Sequence, residues 1–301
     1  MNFHIFGKGF GLYGYLASLI NKKNSNVIVK QKYYKFIKSR SDLNKYLNKI
    51  KFVKKHKFKK NDVVIFAKRP SDQYKFLKKN ASNLLYFFLE KPLAESYIKA
   101  KELQNFLIKK KVRFSIGYLF LYTTWYKKLI LFVKNKKIEK IFITWNFKSI
   151  NKPNSWKNDI TKGGGLLNFY GIHIVSLMAS LKFDKCLHSK IYKKNKREVS
   201  WFCEFKNKKN MSFFINLNPD CNETKFNISY LQAGKTKKIN KNFYTEKSPF
   251  GKLDNSKIDH RVKIIKRYLR DNKEFDKRKI IYLNTLSLFK RINSITKIEM
   301  L

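Results

Sequence analysis

The sequence predicts an α/β chain: a doubly wound parallel sheet over residues 1–117, then an α+β domain with a largely antiparallel sheet over 118–301. Three observations carry this expectation. Short, mostly apolar runs recur at Phe3–Phe6, Val27–Val29, Val63–Ala67, Leu84–Leu89 and Val112–Ile116, with helical or turn-rich stretches between them; strands covered on both faces by helices read this way. A glycine-rich turn follows the first run at once. After Gly117 the pattern changes to segments of alternating polarity separated by turns, which suits an antiparallel sheet.

Taken in order, Phe3-His4-Ile5-Phe6 is a first strand, Gly7-Lys8-Gly9-Phe10-Gly11 a turn and Leu12–Ile20 a helix. A backbone without a Cβ turns tightly and can approach a pyrophosphate, and a helix N-terminus adds free N–H groups. Val27–Val29 is the second strand. Ser41–Leu47 reads as a helix with Ser41 as its cap, and Lys54–Lys60 as a basic connector. Val63–Ala67 is a buried strand and Asp72–Lys79 a helix. Leu84–Leu89 stops abruptly at Glu90-Lys91-Pro92, and open α/β sheets bind ligands just beyond such carboxyl ends. Leu93–Phe106 is helical and Val112–Ile116 ends the first domain.

Tyr118–Lys134 is aromatic and helical, Ile138–Phe147 alternates as a strand, and Lys148–Gly165 is a loop holding Pro153, Trp156 and Gly163-Gly164-Gly165. Leu166–Leu181 is a helix carrying His173. Ser189–Tyr192, Val199–Phe205, Met211–Asn216 and Phe226–Leu231 are strands, and helices at Ile258–Arg270 and Ile280–Arg291 close the chain. No internal repeat is visible.

A chain of 301 residues with 43% hydrophobic content builds real cores and excludes a disordered protein. The net charge of +48 invites a nucleic-acid reading. Lys, however, far outnumbers Arg, is spread from end to end, and travels with Asn, Ile, Phe and Tyr, which share A/T-rich codons. A specific nucleic-acid partner is therefore not expected, although anionic ligands such as nucleotides should be attracted. Cys186, Cys203 and Cys221 form no CxxC pair, and His188 has no companion ligands, so a metal site is not expected. Sparse cysteines suit a reducing cytoplasm. No apolar span approaches the ~18–20 residues of a membrane helix, and the glycines near the N-terminus break any signal-peptide pattern.

Two registers of the glycine motif stay open. Gly7 ends the strand and is preferred as the first glycine, which leaves Leu12 at the third position. Gly9-Phe10-Gly11-Leu12-Tyr13-Gly14 is a full GxGxxG match that starts two residues late. An acid ~20 residues on would bind a ribose 2′-hydroxyl. Here stand Lys30, Gln31 and Lys32, and the next acid is Asp42. Cations there suit a 2′-phosphate and favour NADP over NAD, while a lysine-rich chain places lysines there in any case.

IFGKGFG at the start, Ala67…Pro70, Glu90-Lys91-Pro92 and GGGLLNFYGIH at 163–173 occur in an order and at separations that resemble the glucose–fructose oxidoreductase / inositol dehydrogenase (Gfo/Idh/MocA) family over nearly the whole chain. The resemblance implies a Rossmann domain joined to an α/β domain whose open sheet forms a homo-oligomer interface. It implies hydride transfer between NAD or NADP and a hydroxyl carbon of a sugar or nucleotide-sugar, surface polysaccharide synthesis being one setting. It assigns proton transfer to Lys91 and His173, Lys91 acting as base if burial and the cofactor's charge lower its pKa from ~10.4. Cofactor contacts fall on Gly7, Gly9, Phe10, Gly11, Lys30, Ala67, Arg69, Pro70 and Glu90. Tyr118, Trp145, Trp156, Lys157, Asn168 and Tyr170 are the substrate candidates; taken singly, Trp145 and Tyr118 read more readily as core residues. The chain departs from the family at Phe169, where many members carry an Asp two residues before the glycine of Gly-x-His. A non-catalytic relative that binds nucleotide or sugar is the alternative this raises.

Overall fold

The computed structural model describes residues 1–20, 25–135, 137–148, 155–195, 197–239, 248–250, 259, 261–270 and 275–301. Pro153, in the predicted loop, and Ile258, at the predicted helix start, lie outside them. In chain order the elements are β1 (Asn2–Phe6), a π turn (Gly11–Leu16) running into α1 (Ala17–Leu19), β2 (Asn26–Lys30), α2 (Tyr34–Lys38), β3 (Ile50–Val53), β4 (Val63–Phe66), α3 (Pro70–Asn80), β5 (Tyr86–Leu89), α4 (Tyr97–Lys109) and β6 (Arg113–Ile116). Then come α5 (Thr124–Lys134), β7 (Ile138–Lys148), a π turn (Leu166–Gly171) leading into α6 (Ile172–Ser180), β8 (Lys185–Lys194), β9 (Arg197–Lys206), β10 (Ser212–Asn218), β11 (Asp220–Gln232), β12 (Lys235–Lys238), α7 (Val262–Arg270), α8 (Phe275–Ile295) and β13 (Lys297–Met300). They make two compact units: Met1–Gly117 with Leu253–Arg278, and Tyr118–Lys252 with Lys279–Leu301.

The first unit holds an all-parallel six-stranded sheet in the order β3-β2-β1-β4-β5-β6. After β3 the chain returns to the far side of β1, so the topological switch falls between β1 and β4. Every residue of β4 and β5 is buried, because both faces are covered. Pro70 opens α3, where its missing N–H is harmless, and the Ser96 side chain caps α4 by accepting from the Lys99 N–H. The late helix α7 belongs here too. It buries Ile264, Ile265, Tyr268 and Leu269, and Tyr268 donates to the Ser115 carbonyl at 2.9 Å.

Two expectations for this unit are corrected, and one strand, β3, had no assignment. β3 is an edge strand created by pairing Ile50–Val53 with Val27–Lys30. The helix expected at Ser41–Leu47 is a 3₁₀ segment, Asn44–Lys49. The helix expected from Leu93 starts at Tyr97, because the Leu93 carbonyl is already taken by the Gln73 side chain at 3.0 Å.

A buried polar chain crosses this unit. Asp62 accepts from the Asn2 side chain at 2.9 Å, the Lys59 N–H at 2.8 Å and His4 Nε2 at 2.9 Å. With Nε2 donating to a carboxylate, His4 Nδ1 is an acceptor, and it lies 3.0 Å from His56 Nδ1, which therefore carries its proton. Burial opposes ionisation of Asp62, but these three bonds outweigh it and leave its pKa below the ordinary value. Burial lowers His4, against the opposing pull of Asp62. Burial, helped by His4 and Lys30, lowers His56 to about 4. His56 packs against Phe6 with ring centroids 4.2 Å apart and the rings tilted by 35°.

A histidine depressed in the fold contributes stability that is complete above its unfolded pKa and is lost as pH falls through the folded one. His56 alone is expected to remove about 3 kcal/mol between pH 6.5 and 4. His56→Phe should flatten that part of the slope in urea unfolding followed across this range. An unchanged slope would remove His56 as its source.

The second unit holds a seven-stranded sheet in the order β12-β11-β7-β10-β9-β8-β13. It is largely antiparallel, with β10–β7 and β13–β8 parallel. One face is dry: Ile141, Ile143 and Trp145 of β7, Trp201, Cys203 and Phe205 of β9, and Phe213, Ile215 and Leu217 of β10 are buried. The period-two spacing of these residues is what makes the strands legible. The other face carries half-buried rings, with Phe142 and Phe214 stacked at 5.1 Å.

The predicted helix Tyr118–Lys134 is broken by Thr123, whose hydroxyl bonds the Phe120 carbonyl at 2.7 Å and whose side chain caps α5. β12 and β13 were not expected. KTKK has no apolar residue to betray a strand; the turn at Ala233 and Gly234, both at positive φ, folds it back onto β11. No helix among the described residues is long and apolar enough to cross a membrane.

Candidate cofactor and catalytic residues

The glycine turn of the first unit is built against the switch point. Gly7 leaves β1 at φ +121, and a Cβ there would stand 2.1 Å from the Ala67 carbonyl oxygen. The Ala67 N–H donates to the Phe6 carbonyl at 2.8 Å, so the exits of β1 and β4 are tied together. That demand falls on Gly7, in keeping with Gly7 as the first glycine. A Cβ on Gly9 would meet nothing within 4 Å, so the protein itself does not require a glycine there. Gly11 is tight against the Phe6 carbonyl, 3.2 Å from a built Cβ. Phe10 is half-buried beneath the Arg261 guanidinium, 4.1 Å from its ring centroid. Arg261 is in turn clamped by Asp259 through bonds of 2.9 and 2.7 Å.

Cations gather around this turn. Lys8 lies 4.6 Å from the Phe36 ring centroid, and Arg40 lies 5.5 Å from Tyr13 and 5.6 Å from Phe36. Lys30 is half-buried at the end of β2; Arg69 is exposed just before Pro70, which is buried. Sequence reasoning missed Arg40 and Arg261. Each sits beside an acid two positions away, Asp42 and Asp259, and only the fold brings them to the aromatic side chains of the turn.

Beyond β5, the Gln73 side chain clasps the next residues. It accepts from the Glu90 N–H at 3.0 Å and donates to the carbonyls of Glu90 at 2.9 Å and Leu93 at 3.0 Å. The backbone on both sides of Lys91 is thus fixed from α3, and the Lys91–Pro92 peptide is cis. Glu90 accepts from the Tyr15 hydroxyl at 2.5 Å. Burial raises the Glu90 pKa against the pull of Tyr15, Lys91 and Arg261. The same burial, with Glu90, pushes the Tyr15 phenol well above its ordinary value. No pattern in the sequence marks Gln73 or Tyr15.

In the second unit the triple glycine is a packing device. A Cβ on Gly164 would stand 2.2 Å from the Trp156 carbonyl oxygen, and Gly165 has φ +85 with Glu198 beside it. The Leu166 N–H donates to Glu198 Oε2 at 2.5 Å, so a carboxylate from β9 already serves the start of the turn before α6. His173 is buried in α6, stacked on Phe120 with centroids 5.0 Å apart.

Of the substrate candidates, Tyr118 and Trp145 are core residues, 1% and 6% exposed. Burial, with Tyr282 nearby, raises the Tyr118 phenol well above its ordinary range. Trp156, Lys157 and Tyr170 are half-buried and meet at Phe169. Trp156 packs edge-on to it at 5.5 Å, Lys157 lies 5.2 Å over its ring, and Tyr170 packs at 4.9 Å. Asn168 is half-buried in the same turn. The residue at the family's Asp position is thus the centre of an aromatic cluster.

No family model matches the sequence, and no curated protein sequence matches it. Solved structures do match in fold. KijD10, a 3-ketoreductase from Actinomadura kijaniata in complex with NADP and TDP-benzene, is 9% identical with a TM-score of 0.71, over 100% of this chain and 99% of that one. A myo-inositol dehydrogenase from Corynebacterium glutamicum is 10% identical with a TM-score of 0.71, over 98% and 96%. A putative myo-inositol dehydrogenase from Sinorhizobium meliloti is 11% identical with a TM-score of 0.69, over 98% and 97%. The fold is therefore the one that the Gfo/Idh/MocA resemblance implied, over the whole chain.

Proposed function

We propose that this protein is an NAD(P)-dependent oxidoreductase that moves hydride to or from a hydroxyl carbon of a sugar or nucleotide-linked sugar. NADP is the favoured cofactor, and the cytoplasm, which supplies it, the favoured location. The observation that carries the reading is Lys91, held by the Gln73 clasp just past the carboxyl end of β5, in a fold shared end to end with an NADP-bound ketoreductase.

The residues fit a dinucleotide. Gly7 provides the close turn at the switch point, the surroundings of Gly9 are open, and Lys8, Lys30 and Arg69 offer charge to phosphates. The cofactor, when bound, supplies the hydride chemistry. This chain's part is to hold it, to fix the sugar, and to move the hydroxyl proton at Lys91 Nζ. The role of His173 in that proton transfer rests on the family resemblance alone, and so do those of Trp156, Lys157, Asn168 and Tyr170 in holding the sugar. We assign self-association to the outer face of the second unit's sheet, which carries Phe142, Phe202 and Phe214.

Titration with NADPH and NADH at modest salt, followed by cofactor fluorescence, is expected to show saturable binding with NADPH tighter. Binding of neither would sink the proposal. A second reading is favoured by Phe169, which is committed to ring packing where a carboxylate is usual: a relative that binds nucleotide or sugar without turnover. Cofactor binding with no oxidation or reduction across a broad panel of free and nucleotide-linked sugars would select it.

A further inference from the structure

Cys186 and Cys203 take no part in the sites above. Their sulfurs are 3.2 Å apart across β8 and β9. Their neighbours in the ladder explain why. Cys186 pairs with Phe205 and Ser189 with Cys203, with a register shift between Cys186 and His188. In an unbulged strand residues 186 and 189 would face opposite sides; the extra residue turns both towards the side of Cys203. Cys203 is 0% exposed and Cys186 is partly exposed. One thiol is therefore open to a small reagent, and the other waits behind it.

We propose that Cys186 and Cys203 are a modification site, a thiol pair that a peroxide-class oxidant converts reversibly to an intramolecular disulfide. The Cys186 thiol gives up its proton, the thiolate attacks one peroxide oxygen and the O–O bond breaks; the departing hydroxide takes up that proton as water, and Cys186 becomes a sulfenic acid. The Cys203 sulfur then attacks the Cys186 sulfur. The S–O bond breaks, and the departing hydroxide takes the Cys203 proton as a second water. Two thiols lose two electrons and one peroxide becomes two waters. The sulfurs need to close from 3.2 Å to about 2.05 Å. Burial pushes the Cys203 thiol well above its ordinary pKa, which leaves the first attack on peroxide to Cys186. A dithiol–disulfide pair of this kind in a reducing compartment is transient and redox-sensing in character.

The test treats the reduced full chain with hydrogen peroxide. Intact mass should fall by two hydrogens. Non-reducing digestion should yield one crosslinked peptide joining residues 186 and 203 with Cys221 still free, and dithiothreitol should restore the original mass. Cys203→Ser should stop at a Cys186 sulfenic acid that dimedone traps. A gain of one or more oxygens on wild-type Cys186 without a crosslink, or a disulfide through Cys221 or between two chains, would overturn the proposal. The wild-type peptide map decides the question even if the variant fails to fold.

Discussion

Lys91→Met is expected to lower sugar oxidation or reduction by about 10²–10⁴-fold, the usual contribution of a positioned acid or base. The cofactor dissociation constant should change little. Methionine preserves the length and apolar stem of lysine but removes the ammonium that would exchange the hydroxyl proton. The backbone on either side is set by Gln73, not by the Lys91 side chain, so the variant should keep the local fold. The measurement is turnover with the best substrate of the panel beside a cofactor titration of both proteins. Unaltered turnover would strip Lys91 of its role. Loss of cofactor affinity in step with turnover would instead make it a binding residue.

Gly7→Ala is expected to cost about 4 kcal/mol, summing a strained backbone and an overpacked contact. The added methyl would lie 2.1 Å from the Ala67 carbonyl at a φ of +121. Relief would separate the exits of β1 and β4, which the Ala67-to-Phe6 bond holds together. Gly9→Ala is the control. Its Cβ meets nothing within 4 Å, so stability should stay within about 0.5 kcal/mol of wild type. If the turn faces a dinucleotide, Gly9→Ala weakens NADPH binding without moving the melting temperature. Urea unfolding of both variants, with cofactor titration, separates the two roles. Equal stability of the Gly7 and Gly9 variants would show that the close approach at Gly7 is not a constraint.

Much of the fold was legible because its strands announce themselves. Val63–Phe66 and Tyr86–Leu89 are wholly apolar, as strands covered on both faces must be, and the second sheet alternates with period two on one dry face. Where a strand is defined only by its partners, the signal vanishes. Lys235–Lys238 and Lys297–Met300 carry few or no buried side chains, and backbone pairing alone makes them strands. Tyr118 and Trp145 show the limit for site residues. An aromatic ring has the same letter whether it stacks on a sugar or fills a core, and burial decided for the core.

The sequence by itself determined the strand–glycine–helix opening, the alternation of buried strands with helices, and the placement of Glu90-Lys91-Pro92 at a strand's carboxyl end. These are local: each depends on residues within a turn or two of one another. Tertiary structure alone brought Gln73 to the backbone around Lys91, Tyr15 to Glu90, Arg261 to Phe10, and two cysteines seventeen positions apart to within 3.2 Å. Such contacts join residues distant in the chain, and their formation depends on sheet order and register, which no short window of residues encodes.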